Sequence, residues 1–214
     1  MLFLVEQEVI KFKPLTIYQR VVKRLFDLFF SFLIIFIFFI PTLFLIVIST
    51  IDTGLFGVFT QTRIGQYGRK FSLYKIRTHN KENQITCFGN LIRKLKCDEL
   101  LQFFNILSGD MSLVGPRPDL PGFADKLQGE DKIILFVKPG ITGPASIKFF
   151  YETNILSKVE NPLKFNRDII WPQKVEINKN YVLNYSFFSD LNFFLVTLKK
   201  TIFNSIKLLL SHKI

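Results

Sequence analysis

The sequence predicts an α+β protein, mainly helical, monotopic on a membrane through a re-entrant helix, with a small β-hairpin and surface amphipathic helices. Three observations carry that prediction. Leu28 to Ile48 is an uncharged apolar run, two short β-type segments follow it, and apolar residues recur at helical spacing near the C-terminus. Composition agrees. Of 214 residues, 49% are hydrophobic and 21% charged, which excludes a disordered chain. The 26 phenylalanines exceed what a core of this size ordinarily holds, and lipid or its interface is the simplest place for them. A formal charge of +11 suits nucleic acid, or anionic lipid and phosphate, and the apolar content favours the second pair. Cys87 and Cys97, with only His79 and His212 beside them, do not make a usual four-ligand zinc site, nor a secreted disulfide framework.

Four segments follow along the chain. Residues 1–24 are a basic N-terminal stretch, 25–51 the membrane helix, 52–190 a globular domain and 191–214 an amphipathic helix. The apolar run of about 21 residues would extend roughly 32 Å as a helix, enough to cross a hydrocarbon core. Pro41 divides it into pieces of roughly 20 and 10 Å, neither of which spans a bilayer alone. Lys11, Lys13, Arg20, Lys23 and Arg24 precede the run, and Arg63, Arg69, Lys70, Lys75 and Arg77 follow it. Positive charge on both flanks favours a helix that bends at Pro41 and returns to the cytoplasmic side; a kinked through-going span is the alternative.

Val58 to Gln61 and Phe71 to Arg77 read as strands joined through Gly65-Gln66-Tyr67-Gly68. Phe88 to Leu95 and Asp98 to Leu107 read as helices, the second with Leu100, Phe103, Phe104 and Leu107 on one face and Asp98, Gln102 and Asn105 elsewhere. Proline and glycine mark Gly115 to Gly122 and Pro139 to Pro144 as ordered loops. Leu191, Phe194, Leu195, Leu198, Ile202, Ile206 and Leu209 recur opposite Lys199, Lys200, Asn204 and Lys207. That pattern fits a helix lying on a membrane and, equally, a core helix with lysines on its outer face.

Chemistry has three candidate positions. Asp98-Glu99 opens a helix after Arg93, Lys94 and Lys96, where cations and the helix dipole keep carboxylates ionised. Such a pair can attack phosphorus, hold a divalent metal or take a proton, although an Asp at a helix start is also a common cap. Arg117 stands between Pro116 and Pro118, a rigidity that suits phosphate binding and suits a stiff surface turn as well. Lys75 and Arg77 alternate with apolar residues, so period two puts both on one strand face, where a phosphate or water could meet them. No Walker-type loop, dinucleotide fingerprint or zinc-protease signature is present.

Together these blocks resemble the bacterial sugar transferases, the monotopic phosphoglycosyl transferases, in their small minimal-domain form. The resemblance rests on Lys23-Arg24-Leu25-Phe26-Asp27, on Phe59 to Gly65 and Phe71 to Thr78, and on Leu91-Ile92-Arg93-Lys94. Asp98-Glu99-Leu100-Leu101-Gln102, Gly109 to Pro118 and Lys138 to Gly143 complete it, all in the family's order. It implies a membrane-bound transferase that moves a sugar 1-phosphate from a UDP-sugar to polyprenyl (undecaprenyl) phosphate, releases UMP and so initiates lipid-linked glycan synthesis. It implies Asp98 as the nucleophile of a covalent phosphosugar intermediate, Glu99 as its assistant, and Mg2+ as cofactor held at Asp98 and Glu99. Lys75, Arg77, Arg93 and Arg117 are the expected phosphate-binding residues, and Pro41 the expected membrane bend. The expected location is the cytoplasmic face of a bacterial inner membrane with both termini cytoplasmic. Downstream glycosyltransferases and a second copy of the chain are the further expected partners; nucleic acid is not.

Some positions depart from the family pattern. Ile40-Pro41 replaces a common Ser-Pro at the bend, and Pro144-Ala145-Ser146-Ile147-Lys148 replaces a common Trp-Ala-Gln run in a region near the sugar. A lost indole and a gained lysine alter stacking and charge there, which leaves the donor sugar open. The non-enzymatic alternative is a membrane-tethered scaffold of the same fold, which would not need Asp98, Glu99 and Arg117 together. A nucleic-acid binder would cluster its cations with stacking aromatics on one soluble patch.

Overall fold

The computed structural model describes residues 15–211, so Lys11, Lys13 and His212 lie outside the described residues. The chain begins with one long helix, α1 (Ile17–Thr53). Thr16 starts it with a reciprocal cap: the Gln19 amide donates to the Thr16 hydroxyl and the Thr16 amide to the Gln19 side chain. Gly54 ends it at φ 66. Pro41 stands inside α1, which continues through it as one helix. A proline deletes a single N–H donor, and the helix continues where packing holds both sides.

One face of α1 is a stripe of small or polar buried residues, Asp27, Ser31, Thr42, Ser49 and Thr53, laid against the rest of the chain. The other faces expose Phe29, Phe32, Phe36, Phe39, Phe44 and Ile51. Only 11% of its most apolar 18-residue stretch is buried, so α1 is not a core helix of a water-soluble domain. It is long and apolar enough to cross a membrane, and it associates the chain with one.

The hairpin forms as expected and is longer. Strands β1 (Val58–Ile64) and β2 (Lys70–Ile76) pair antiparallel with Gln61 opposite Leu73, and the turn between them places Tyr67 at φ 56 and Gly68 at φ 74. After α2 (Cys87–Lys94), the expected helix from Asp98 is instead a single 3-10 turn, Cys97–Glu99, followed by α3 (Gln102–Ser108). Lys96 at φ 61 causes the break, since it reverses the chain just after α2.

The faces of α3 also differ from the sequence reading. Gln102 and Asn105 are buried while Phe104 is exposed. Asn105 Nδ2 donates to the Ser72 carbonyl (2.8 Å) and its Oδ1 accepts from the Tyr74 amide (3.0 Å), so the side chain serves β2 in place of a third strand. Strands β3 (Ser112–Val114) and β4 (Gly140–Thr142) then pair parallel, where sequence indicated a loop at Pro139 to Pro144. Glycine makes that pairing possible: a Cβ at Gly140 would come within 2.2 Å of the Gly115 nitrogen.

Helices α4 (Pro144–Lys148), α5 (Glu152–Leu156), α6 (Pro162–Phe165), α7 (Trp171–Leu183) and α8 (Phe187–Ser211) complete the fold. The main core gathers Leu73, Ile106, Met111, Leu113, Val137 and Val182. Helix α8 differs along its length. Its start packs inward, with Asp190 fully buried and Phe194 against Phe26 and Phe30, whereas Leu195, Ile202, Phe203 and Ile206 are exposed.

Lys23, Arg24 and Asp27 are not free flanking charges. Lys23 Nζ meets Asp190 and the Val114 carbonyl, and Arg24 donates to the carbonyls of Ile106 (2.6 Å) and Leu107 (2.9 Å). Asp27 accepts from the Ser112 hydroxyl and the Leu113 amide. The far end of α1 is tied as well, through Ser49 Oγ to the Arg77 carbonyl (2.6 Å) and the Gly57 amide to Thr50 Oγ1 (2.8 Å).

Candidate active site

The 3-10 turn Cys97–Glu99, β2, β3 and the Arg117 loop meet at a cleft of about 710 Å³. Asp98, Glu99, Lys75, Arg93 and Arg117 all line it, so five of the residues expected from sequence share one site. Lys96, Asp119, Glu152 and Lys174 line it too. Ile34 and Phe38 of α1 and Phe194, Leu198 and Ile202 of α8 add an apolar wall.

Within the cleft the two adjacent carboxylates have opposite surroundings. Arg117 Nη2 donates to Glu99 Oε1 at 2.5 Å, and Lys75 Nζ lies 3.8 Å from the same oxygen. Burial opposes the Glu99 charge, but Arg117, Lys75 and Lys96 outweigh it and hold the carboxyl down at about 2. Asp98 has no side-chain hydrogen bond among the described residues, and burial followed by the Glu99 charge pushes its carboxyl above the ordinary range despite Lys75, Lys96 and Arg93. Sequence alone expected both to be held ionised alike; in the fold, Glu99 takes the cations. Burial also lowers the Lys75 ammonium, which Glu99 partly restores. The Arg117 side chain stays 44% exposed at the open side of the cleft, so its guanidinium can reach Glu99 and a ligand together.

Arg77 is not in the cleft. Its Nε donates to the Phe56 carbonyl (2.7 Å) and its guanidinium stacks over Phe59, which corrects the expectation that it lies beside Lys75. It follows the last residue of β2, so the period-two argument stops one residue short of it. Lys148 points away from the cleft toward Gln173, while its neighbour Ser146 lines it. Trp171 of α7 lines the cleft.

Sequence reasoning missed Asp119, Glu152 and Asn178 as site residues. For Asp119 a signal existed, an acidic residue two positions past Arg117 in the same rigid loop. Burial pushes its carboxyl to about 7 against the pull of Lys174, Arg63 and Arg117. A folded value above the unfolded one means that the native state holds a proton the unfolded chain releases. Stability is therefore full below about 4 and is lost as pH rises through 7. Asp119→Asn, which removes that loss, is expected to raise the melting temperature by about 3 °C or more at pH 8 relative to its effect at pH 4, read by thermal melts at both pH values.

The donor set fits a magnesium ion in one respect. No group of three or more His, Cys, Asp or Glu is placed to hold a metal among the described residues. Magnesium, however, is commonly held by one or two carboxylates together with substrate phosphates, and Asp98 and Glu99 supply that pair.

Comparison with known proteins gives the same direction. The chain matches the family described as "Bacterial sugar transferase" over residues 18–204. It is 36% identical over 193 residues to the sugar transferase EpsL of Bacillus subtilis (strain 168), covering 85% of this chain and 88% of that protein. It is 30% identical over 210 residues to the UDP-glucose:undecaprenyl-phosphate glucose-1-phosphate transferase of Klebsiella pneumoniae, covering 89% of this chain and 42% of that one. Over 110 residues it is 40% identical to the UDP-N-acetylgalactosamine-undecaprenyl-phosphate N-acetylgalactosaminephosphotransferase of Aeromonas hydrophila, covering 44% of this chain and 26% of that one. The chain thus spans less than half the length of the two relatives named for a nucleotide sugar. With a family match that contains Asp98, Glu99 and Arg117 and reaches from α1 into α8, this chain belongs to the bacterial sugar transferases.

Proposed function

We propose that the chain transfers a sugar 1-phosphate from a UDP-sugar to polyprenyl phosphate, releasing UMP. The observation that carries this reading is the composition of this cleft. A cluster of cations and carboxylates sits in the same cavity as an apolar wall built from α1 and α8. A water-soluble diphosphate and a prenyl chain need those two surfaces within reach of one reactive group.

In this reading an Asp98 oxygen attacks the β-phosphorus, the bond from that phosphorus to the bridging oxygen breaks, and UMP leaves. An oxygen of the lipid phosphate then attacks the same phosphorus and expels the Asp98 carboxylate. Asp98 suits the first role because no hydrogen bond occupies its carboxylate. Arg117, Arg93 and Lys75 neutralise phosphate oxygens as charge builds. Glu99, kept ionised by Arg117, orients that guanidinium. Mg2+ held by Asp98 and Glu99 would supply further charge neutralisation on the diphosphate.

The same reading places the protein on the cytoplasmic face, with α1 re-entrant or lying along the surface. Asp27 and Ser49 both bond to one folded domain, yet they stand 22 residues apart along the helix, roughly 33 Å. A domain that touches both ends of an apolar run of bilayer length supports a helix that does not cross.

The test is UMP release from purified protein with Mg2+, undecaprenyl phosphate and a panel of UDP-sugars. The expected result is release from at least one donor that requires the lipid. No lipid-dependent release across the panel from folded protein would replace this reading with a scaffold of the same fold.

A further inference from the structure

Beyond Asp119 the cleft wall is formed by α4 and α7, which pack on each other. Trp171, Lys174 and Asn178 recur at i, i+3 and i+7, so α7 presents one face to the cavity, and Ser146 and Phe149 line it from the α4 side. Lys174 on that wall is satisfied, with Nζ 2.7 and 2.8 Å from the Glu152 oxygens. Two others are not. Asn178 is only 5% exposed, and its Oδ1 and the Ser146 Oγ are buried without any hydrogen-bond partner. Buried polar atoms in native proteins are nearly always paired, so two unpaired oxygens in the wall of one cleft mark groups left for a ligand.

Resting on the transferase reading, we infer that Asn178 and Ser146 form the subsite that reads the hydroxyl or acetamido groups of the donor's sugar ring. Asn178 Oδ1 can only accept and the Ser146 hydroxyl can accept as well as donate, so this wall asks its ligand for at least one hydrogen-bond donor and suits a group that both donates and accepts. A phosphate of the donor has none to give when ionised, and the cations for it lie at Lys75, Arg93 and Arg117. The uridine offers one ring N–H and two ribose hydroxyls, with two carbonyl acceptors on the base. A pyranose offers several O–H donors, and the Trp171 ring provides an apolar face for its C–H side.

The direct test compares dissociation constants of UDP-sugars and of UMP for the wild-type protein, Ser146→Ala and Asn178→Leu, by calorimetry in detergent with Mg2+ present. UDP-glucose, UDP-galactose and their N-acetylated counterparts are the probes. Each substitution is expected to weaken the preferred UDP-sugar roughly tenfold and to leave UMP within about twofold, because UMP lacks the sugar. Ser146→Ala deletes one small group and keeps the result readable if Asn178→Leu fails to fold. Equal weakening of UMP and UDP-sugar would overturn the inference by moving the subsite to the uridine. Unchanged affinity for both, or a wild-type protein that binds UMP as tightly as every UDP-sugar, would overturn it as well. Sugar-selective weakening in protein that releases no UMP with lipid would uphold the subsite while removing the transferase reading.

Discussion

Asp98→Asn is expected to lower lipid-dependent UMP release by about 10³-fold or more, a barrier increase of roughly 4 kcal/mol, and to leave the melting temperature unchanged or higher. The two halves of this expectation have separate causes. A carboxamide is a poor nucleophile toward phosphorus, so the covalent step is lost. The fold, by contrast, gains nothing from the Asp98 charge: burial and the neighbouring Glu99 both push the carboxyl above its ordinary value, and no side-chain hydrogen bond is broken by the change. The sign fixes where the stability gain lies. A carboxyl with a raised folded value contributes stability below the unfolded value of 3.8, and that contribution is lost as pH rises through the folded one. The variant should therefore gain most at neutral and alkaline pH and nothing near pH 3, in parallel thermal melts. A large drop in melting temperature would mean that the fold depends on the Asp98 charge, and normal turnover would remove it as the nucleophile.

Much of this site is legible in the sequence because its parts are local. The apolar run of α1, the β1–β2 hairpin, α2 and the Asp98-Glu99 pair each announce themselves within a few residues, and Arg117 is fixed by prolines on either side. What the sequence hides is how separate segments satisfy one another. Gly140 to Thr142 looks like a loop until Ser112 to Val114 provides a parallel partner. Asn105 looks like an outward polar residue until β2 presents an unpaired edge at Ser72 and Tyr74. Lys23 and Arg24 look like charges flanking a membrane segment; one is neutralised by Asp190, 167 residues away, and the other caps the carbonyls that end α3. Arg77 leaves the site because Phe56 offers a carbonyl and Phe59 a ring. In each case a donor or acceptor chooses a partner distant in sequence, and period or propensity carries no record of that choice. Asp119 and Asn178 belong to the same class, since their importance comes only from the cavity they line.

The same logic makes Arg117 the second position of large effect, because it serves Glu99 and, in the proposed reaction, the phosphate together. Arg117→Ala is expected to reduce kcat/KM by about 10²–10³-fold, in the range found when a charge-stabilising donor is removed from an active site. It is also expected to change stability toward acid. Glu99 is held at about 2 in the fold, below its unfolded 4.5, so its contribution is present above 4.5 and is lost as pH falls through 2. Without the guanidinium, Glu99 keeps Lys75 at 3.8 Å and the charge of Lys96, its folded value rises, and acid unfolding should begin at a higher pH than in the parent. Arg117→Lys preserves the charge without the planar fork and should fall between the two in both measurements. The double variant Arg117→Ala, Glu99→Gln separates the two duties, since it removes the unpaired buried carboxylate along with its partner. Recovery of acid stability with turnover well below that of Glu99→Gln alone is the expected result, and it would mean that the guanidinium acts on the transferring phosphate itself. Turnover equal to that of Glu99→Gln alone would reduce Arg117 to a counter-ion whose only task is to keep Glu99 charged.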